Sequence, residues 1–258
     1  MTLRSEHNGP AKDTRAAFVA SHSGLVREWN EDTCAVSGIA GRLTSWRGSL
    51  SARNGWALIA DGVGGHVAGE TASALAVEIL RPMMPKLRID HDIQLAVNAA
   101  DGALFMAMDL RPELRGMGTT IAGVLLRREG VIAFNAGDSR IYQFVNGRLD
   151  QVSIDDATKG GALLQCLGGF QEPVPMLVHT RWINPEAALV ICSDGLTEML
   201  TDQMIAETLM SGTADPALAL INEALEAGGH DNVSVIVLDC PSQPAEQYAG
   251  LERLEVKI

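Results

Sequence analysis

Four aspartates stand next to short apolar runs that predict β-strands. Asp61 follows the run in "WALIAD", Asp138 and Asp194 follow those in "FNAGDS" and "VICSDG", and Asp231 precedes the run in "DNVSVIVL". Strands that share a sheet can bring such residues to one rim, where carboxylates serve as metal ligands. Each aspartate alone is also typical of an ordinary turn or helix cap. The repetition of the same placement favours a common site.

Two further acids, Glu31 and Asp32 in "VREWNEDTC", extend the set to six carboxylates. Two unscreened carboxylates about 4 Å apart repel each other by roughly 4 kcal/mol at an effective dielectric of about 20, so a converging cluster predicts a bound cation. The candidate ligands are all oxygens, without His or Cys at metal-ligand spacing. This donor set favours magnesium or manganese over zinc.

The loop "ADGVGGHVAGE", which contains Asp61, fits none of the common glycine-rich templates. The dinucleotide fingerprint needs a glycine where Val67 stands, the Walker loop needs Gly-Lys-Ser/Thr, and an EF-hand needs a Glu where Ala72 stands. What remains is an acid at a strand end followed by residues that let another group approach the backbone. A tight turn between a strand and a helix is the simpler alternative.

The surrounding pattern predicts a mixed chain of helices and largely antiparallel strands. Apolar, β-branched and aromatic residues predict strands over 56–60, 120–126, 131–136, 140–145, 187–192 and 233–238. Asn146-Gly147 is typical of a two-residue hairpin turn. Helical spacing of apolar residues predicts helices over 72–79, 92–110, 196–210 and 216–228. Asp215, just before Pro216, predicts the N-cap of the last helix.

Composition and charge limit the class of protein. The 258 residues are 47% hydrophobic and 20% charged, and no Pro- or Gly-rich seam divides them, which predicts one globular domain. The formal net charge of -12 argues against a nucleic-acid partner, because phosphate backbones are bound through clustered Lys and Arg.

The cysteines and the amino-terminal sequence predict a compartment. Cys34, Cys166, Cys192 and Cys240 show no CxxC spacing, so we expect buried thiols in a reducing compartment. The apolar run at 16–20 is too short for a signal-peptide core or a membrane span. We therefore expect a cytoplasmic protein without a membrane partner.

Seven short motifs follow one another in a specific order. They are "RxxNED" at 27–32, "DGxGGH" at 61–66, "MGTT" at 117–120, "GDSR" at 137–140, "LGG" at 167–169, "SDGL" at 193–196 and "DN" at 231–232. A single motif of this kind is weak evidence, whereas the ordered set is specific. Over about 21–238, the chain resembles the metal-dependent serine/threonine protein phosphatases of type 2C, the PPM family, in their compact bacterial form.

The resemblance implies an α+β fold, a four-layer αββα sandwich in which two mainly antiparallel β-sheets are flanked by helices. This architecture agrees with the predicted elements. It implies a single catalytic domain at 16–240, between a flexible N-terminal segment at 1–15 and a C-terminal tail at 241–258.

The resemblance also implies two manganese or magnesium ions and a weaker third site. Asp61 would bridge the two ions, and the Gly62 carbonyl would help to hold the second. Asp194 and Asp231 would complete the first ion. The remaining acids would be Glu31 and Asp32, acting on the second ion directly or through its waters, and Asp138, forming the third site with Asp194.

The chemistry implied by the family is direct attack of a metal-bridging hydroxide on phosphorus. Two divalent ions lower the pKa of a shared water from about 15.7 toward neutrality, so no protein nucleophile is needed. Arg27 would bind the phosphate through its planar guanidinium, and its alternative role is an ordinary surface salt bridge. His66 is a candidate proton donor to the leaving alkoxide. Its alternative role is structural, with a metal-bound water as the donor.

Two features depart from the family pattern. Asp156, in "IDDAT", stands where many members have a histidine, and the segment at 156–163 is shorter than the flap that borders the active site in many relatives. Substrate preference is therefore left open.

Three functions are compatible with these residues. The leading hypothesis is a monomeric phosphatase for phosphoserine and phosphothreonine, which reverses a serine/threonine kinase in bacterial signalling. A dedicated regulator phosphatase would act on one partner, such as an anti-sigma-factor antagonist or a secretion-system component. A non-catalytic module would only bind phosphoproteins.

Overall fold

The computed structural model describes residues 13–39, 42–65, 67–170 and 172–239. His66, Cys240, most of the predicted N-terminal segment and the tail at 241–258 therefore lie outside the described residues. Among the helices of the described ranges, none is long and apolar enough to span a bilayer.

The described part of the chain contains fourteen strands and five α-helices. The strands are β1 (Thr14–His22), β2 (Thr33–Val36), β3 (Ser45–Ser51), β4 (Trp56–Ala60), β5 (Gly62–Val63), β6 (Gly118–Thr119), β7 (Ile121–Arg127), β8 (Gly130–Ala136), β9 (Arg140–Val145), β10 (Arg148–Gln151), β11 (Leu167–Gly168), β12 (His179–Ile183), β13 (Ala188–Cys192) and β14 (Val233–Leu238). The helices are α1 (Val67–Leu80), α2 (Asp90–Leu110), α3 (Asp194–Thr197), α4 (Asp202–Met210) and α5 (Pro216–Glu226). Because β1 begins at Thr14, it starts inside the predicted N-terminal segment, and the division into domains stays a prediction.

The strands form two large antiparallel sheets and one small sheet. The first has six strands in the order β10-β9-β13-β14-β1-β3, and the second has five in the order β12-β8-β7-β4-β2. The small sheet has the order β11-β6-β5, and its strand β5 is formed by Gly62 and Val63 of the glycine-rich loop. Asn146 and Gly147 both have positive φ, 53° and 79°, and join β9 to β10, which confirms the predicted hairpin turn.

Three apolar cores separate four layers. Residues from both large sheets, such as Ile59 of β4 and Ile236 of β14, pack in the central core. On the outer face of the five-stranded sheet, Leu58 packs with residues of α1 and α2, such as Leu80 and Leu104. The outer face of the six-stranded sheet packs against α3, α4 and α5. Strands covered on both faces are apolar at nearly every position, as in "WALIA". The predicted αββα sandwich is therefore confirmed.

The prediction of one continuous helix over 196–210 is wrong, because two helices, α3 and α4, occupy this range. Helix α3 ends at Thr197, and the Thr201 side chain accepts a hydrogen bond from the Met204 N–H at the start of α4. A threonine N-cap starts a new helix even where apolar spacing runs on. At α5, the predicted cap is confirmed, since the Asp215 side chain accepts from the Leu218 N–H.

The buried thiols generate a prediction about reactivity. Cys34, Cys166 and Cys192 are free and buried, as predicted, and burial raises the pKa of Cys34 and Cys192 to about 12 and that of Cys166 to about 11. Thiolate is the reactive form, so at mildly alkaline pH we expect iodoacetamide to modify these residues about 100-fold more slowly in the native than in the denatured protein. Peptide mass spectrometry measures each position. Labelling of native Cys34 at the denatured rate would contradict its burial.

Candidate metal centre

Asp61 follows β4 directly, and the two threonines of "MGTT" hold its main chain. The Thr120 N–H and the Thr119 hydroxyl donate to the Asp61 carbonyl oxygen at 2.9 and 2.8 Å. The Thr120 hydroxyl lies 2.7 Å from that of Ser139, in the turn that carries Asp138. These hydroxyls are buried, so the loops of Asp61 and Asp138 are connected away from solvent. Sequence reasoning used the threonines only as part of a motif.

Ser193 connects Asp32 to Asp194. Its hydroxyl donates to Asp32 Oδ2 at 2.9 Å and accepts from the Ser234 N–H at 3.0 Å. Ser193, Ser234 and Asp32 are all buried. Because Asp194 is the next residue after Ser193, the positions of the two acids are coupled. Spacing along the chain could not show this contact, since Asp32 and Ser193 are 161 positions apart.

Asn232 ties the early segment that contains Glu31 to the loop of Asp231. Its Nδ2 donates to the carbonyl oxygens of Ser23 and Trp29 at 2.9 and 2.8 Å, and its Oδ1 accepts from the Glu31 N–H at 2.8 Å. One amide side chain therefore fixes two of the predicted acids relative to each other.

Two glycines, Gly62 in β5 and Gly69 in the first turn of α1, make room for Glu31. A Cβ on Gly62 would lie 2.7 Å from the Glu31 carbonyl oxygen, and a Cβ on Gly69 would collide with the Glu31 carboxylate. In the structure, the groups that approach Gly62 are the main chains of Gly69 and Glu31, and the predicted metal role of the glycine-rich loop stays a prediction. Gly69 was not singled out from the sequence, although its place in the first turn of α1 is a usable signal.

The acids oppose one another's ionisation. The pKa of Asp61 is raised well above its ordinary value by loss of solvation and then by the negative charges of Asp32, Asp194 and Asp138. Burial, with Asp194 as a further contribution, raises the pKa of Asp32 and of Asp138 to about 7. Burial also raises the pKa of Asp194, and the nearby Asp231 adds to the shift. Such mutual repulsion is what a cation among them would relieve.

Arg27 stands at the exposed side of this rim. Its Nη2 donates to Asp231 Oδ2 at 2.6 Å, and the two side chains are 55% and 30% exposed. The hydrogen bond and the charge of Asp231 raise the pKa of Arg27, with smaller contributions from Glu31 and Asp194. The salt bridge predicted as the alternative role is therefore present. The exposed remainder of the guanidinium is open to an anion.

The carboxylate oxygens suit hard divalent ions, although the side chains as placed do not form a complete coordination site. Within the part of the chain that the structure describes, no group of three Asp, Glu, His or Cys side chains is placed to hold an ion as it stands. The contacts are pairwise, since Asp61 shares a hydrogen bond with Asp194 while Asp231 meets Arg27. Asp32 Oδ1 is buried and has no hydrogen-bond partner among the described residues, as a ligand oxygen would be. Ligation would require the acids to rotate toward common points.

The structure bears on the predicted role of Asp138 but leaves the other ligand roles untested. Asp138 lies in electrostatic contact with Asp194, the residue predicted to share the third site. His66 lies outside the described residues, so its role as proton donor stays a prediction. The individual ligand assignments, including the Gly62 carbonyl, also stay predictions.

Comparisons with known proteins agree with this geometry. The family model described as "Protein phosphatase 2C" matches residues 45–226. The serine/threonine protein phosphatase PstP of Mycobacterium tuberculosis is 30% identical over 242 residues, which cover 85% of this chain and 44% of PstP. The serine/threonine phosphatase stp of Listeria monocytogenes is 27% identical over 210 residues, covering 70% of this chain and 83% of that protein. The chain thus spans less than half the length of PstP.

A solved structure extends the similarity to three dimensions. The catalytic domain of PstP, solved in complex with two manganese ions, superposes with a TM-score of 0.71 at 31% identity, covering 88% of this chain and 98% of that domain. The chain therefore shares the fold of that domain.

Close packing at the start of α3 generates a prediction for metal binding. A Cβ on Gly195 would collide with the Asn232 carbonyl oxygen, so Gly195→Ala must push α3 away from the Asp231 loop. We expect about 10-fold weaker manganese binding, measured by calorimetry, because this packing orients two predicted ligands. Gly102→Ala, on α2 where a Cβ meets nothing within 4 Å, is the matched control. Unchanged affinity in Gly195→Ala would show that this packing is not needed.

Proposed function

The chain belongs to the protein phosphatase 2C family, and on this basis we propose that it is a metal-dependent phosphatase acting on phosphoserine and phosphothreonine in proteins. The observation that carries the proposal is that Asp32, Asp194 and Asp138 lie close enough to Asp61 for their charges to raise its pKa, with Asp32 joined at 2.9 Å to Ser193, the neighbour of Asp194. The names of PstP and stp, and the two manganese ions of the PstP domain, support the activity and the cofactor. The chain spans only 44% of the length of PstP. The similarity therefore does not by itself establish the activity, and we state it as a proposal.

The proposed metal ligands follow the family pattern. Asp61 would help to hold both of two manganese or magnesium ions, and the Gly62 carbonyl would help to hold the second. The first ion would also be held by Asp194 and Asp231, the second by Glu31 and Asp32, and a weaker third by Asp138 with Asp194. When bound, the ions supply an activated water for attack on phosphorus.

Arg27 would bind and orient the phosphate. Its guanidinium has five N–H donors, and the pair with Asp231 engages one nitrogen. The rim is otherwise acidic and the chain carries a net charge of -12, so a phosphate needs a local cation to approach. His66 remains the proposed proton donor to the leaving serine or threonine oxygen.

The proposed setting is bacterial signalling in the cytoplasm. The substrates would be proteins phosphorylated by a serine/threonine kinase, and the phosphatase would act as a monomer. All six predicted acids are present in the chain, which disfavours a module that binds phosphoproteins without catalysis.

Loss of a single predicted ligand should abolish activity without unfolding the protein. Asp61→Asn and Asp231→Asn each remove a carboxylate charge at nearly constant volume. We expect manganese-dependent hydrolysis of p-nitrophenyl phosphate to fall by at least about 100-fold in each variant, because the metals supply the chemistry. Asp109→Asn, an exposed acid on α2, should retain wild-type activity. Activity that survives both substitutions, or persists in excess EDTA, would rule out the proposed mechanism.

Loss of Arg27 should mainly weaken substrate binding. Removal of a charge-assisted hydrogen bond to phosphate is worth about 1.5–3 kcal/mol, so we expect Arg27→Ala to raise the Michaelis constant by about 10- to 100-fold, with Arg27→Lys intermediate. Steady-state kinetics on a phosphopeptide measures this change. Arg53→Ala breaks a comparable exposed pair, with Asp13 at 2.6 Å, and should leave the constant unchanged. An unaltered Michaelis constant in Arg27→Ala would refute the role.

A further inference from the structure

A junction of hydrogen bonds centred on Asp156 has no part in the proposed mechanism. Asp156 Oδ2 accepts from the Gly137 N–H at 3.0 Å and from Gln165 Nε2 at 2.9 Å. The Asp156 N–H donates to the Gly137 carbonyl oxygen at 3.0 Å, and its own carbonyl oxygen accepts from the Leu164 N–H at 2.7 Å. One residue therefore joins the turn before Asp138 to both ends of the segment 156–165.

His179 completes this junction from the five-stranded sheet. It is the first residue of β12, and its Nε2 lies 2.8 Å from Asp156 Oδ1, with the two side chains only 18% and 16% exposed. The Gln165 side chain continues the contacts, donating to the Leu177 carbonyl oxygen and accepting from the Leu177 N–H, both at 2.7 Å. Both oxygens of the Asp156 carboxylate are thus engaged, one by β12 and one by the turn and Gln165.

A short hairpin stands on this base. Ala157 and Leu163 form an antiparallel bridge, and the Thr158 N–H donates to the Ala162 carbonyl oxygen at 2.8 Å. Lys159, near its tip, is exposed. So short a hairpin is not stable in isolation, and its position therefore depends on the contacts at its base.

The junction also bears on the turn that carries Asp138. Gly137 is held by Asp156, and Arg140 pairs with the neighbouring Asp155 at 2.8 Å. Two consecutive acids therefore fix the turn on both sides of Asp138. The Asp138 carboxylate is in electrostatic contact with Asp194, so a shift of the turn changes the distance between these two acids.

We propose that Asp156 and His179 are a positioning pair, which holds the 157–163 hairpin against the Gly137 turn and thereby sets the place of Asp138 relative to Asp194. The inference rests on the proposed function for the role of Asp138 as a ligand of the weaker metal site. Asp156 occupies the position where the type 2C pattern has a histidine, and the imidazole that it meets comes from a different strand.

The test compares His179→Val, His179→Gln and Arg181→Gln. Valine suits the edge strand β12 but cannot bond to Asp156, whereas glutamine keeps a donor, and Arg181 is an exposed control on the same strand. Two readouts do not depend on activity: the rate of trypsin cleavage after Lys159 in the native protein, and the manganese binding isotherm followed by electron paramagnetic resonance. In His179→Val we expect cleavage to be about 10-fold faster and the weakest manganese site to bind about 10-fold less tightly. His179→Gln and the control should resemble the wild type.

The outcomes distinguish a local loss of positioning from a general loss of protein stability. Wild-type cleavage and binding in His179→Val would overturn the proposal, and so would an equal loss at every metal site together with a lower melting temperature. If His179→Val does not fold, Gln165→Leu breaks the junction from its other side and is judged by the same two readouts. If the wild type shows no manganese-dependent phosphatase activity, the proposed function fails. The cleavage rates still decide whether the pair holds the hairpin.

Discussion

Repulsion among carboxylates kept away from water is the constraint on which the rest of this structure depends. Asp61, Asp32, Asp194 and Asp138 lie near one another where solvation is poor, so each makes the ionised form of the others less favourable. Nothing in the local sequence around any one acid would keep it there. The opposing contribution comes from the three apolar cores, which fix the strand ends from which the acids project. A functional site that is locally unfavourable therefore relies on the stability of the whole sandwich.

Small polar side chains connect the acids at the rim to the stable strands of the sandwich. Thr119, Ser193 and Asn232 each bond across loops that are distant in the sequence, and each orients the main chain or side chain of a predicted ligand. Groups of this kind orient metal ligands without touching the ion, and their loss commonly affects affinity as strongly as loss of a weak ligand. The Asp156 junction extends the same arrangement to the turn that carries Asp138. The predicted ligands are thus one connected set and not six independent residues.

Elements with strong apolar patterns were predicted from the sequence. Strands that depend mainly on hydrogen bonding to their neighbours in the sheet were not. Continuous apolar runs identified β4, β13 and β14, and acids at strand ends identified the rim. β1, β2 and β3 were not predicted, because "TRAAFVASH" and "SWRGSLS" are rich in Ala, Ser and Gly and become strands through their neighbours in the sheet. The partners of Asp156 and of Asp32 were also not predicted, since register between distant strands decides which side chains meet. The break before α4 was missed for a different reason: the apolar spacing continues across it, although Thr201 is a usable N-cap signal.

The place of β14 has a consequence for how copies of this protein are made in the cell. β14 lies between β13 and β1 in the middle of the six-stranded sheet, and it begins two residues after Asp231. A nascent chain on the ribosome lacks this central strand, together with Asp231 and Asn232, until almost all of the described residues have been translated. A copy that ends before β14 therefore lacks an inner strand of the six-stranded sheet and, if it ends before Asp231, one of the predicted acids as well. Completion of the sheet and completion of the proposed metal centre are thus a single late event in translation.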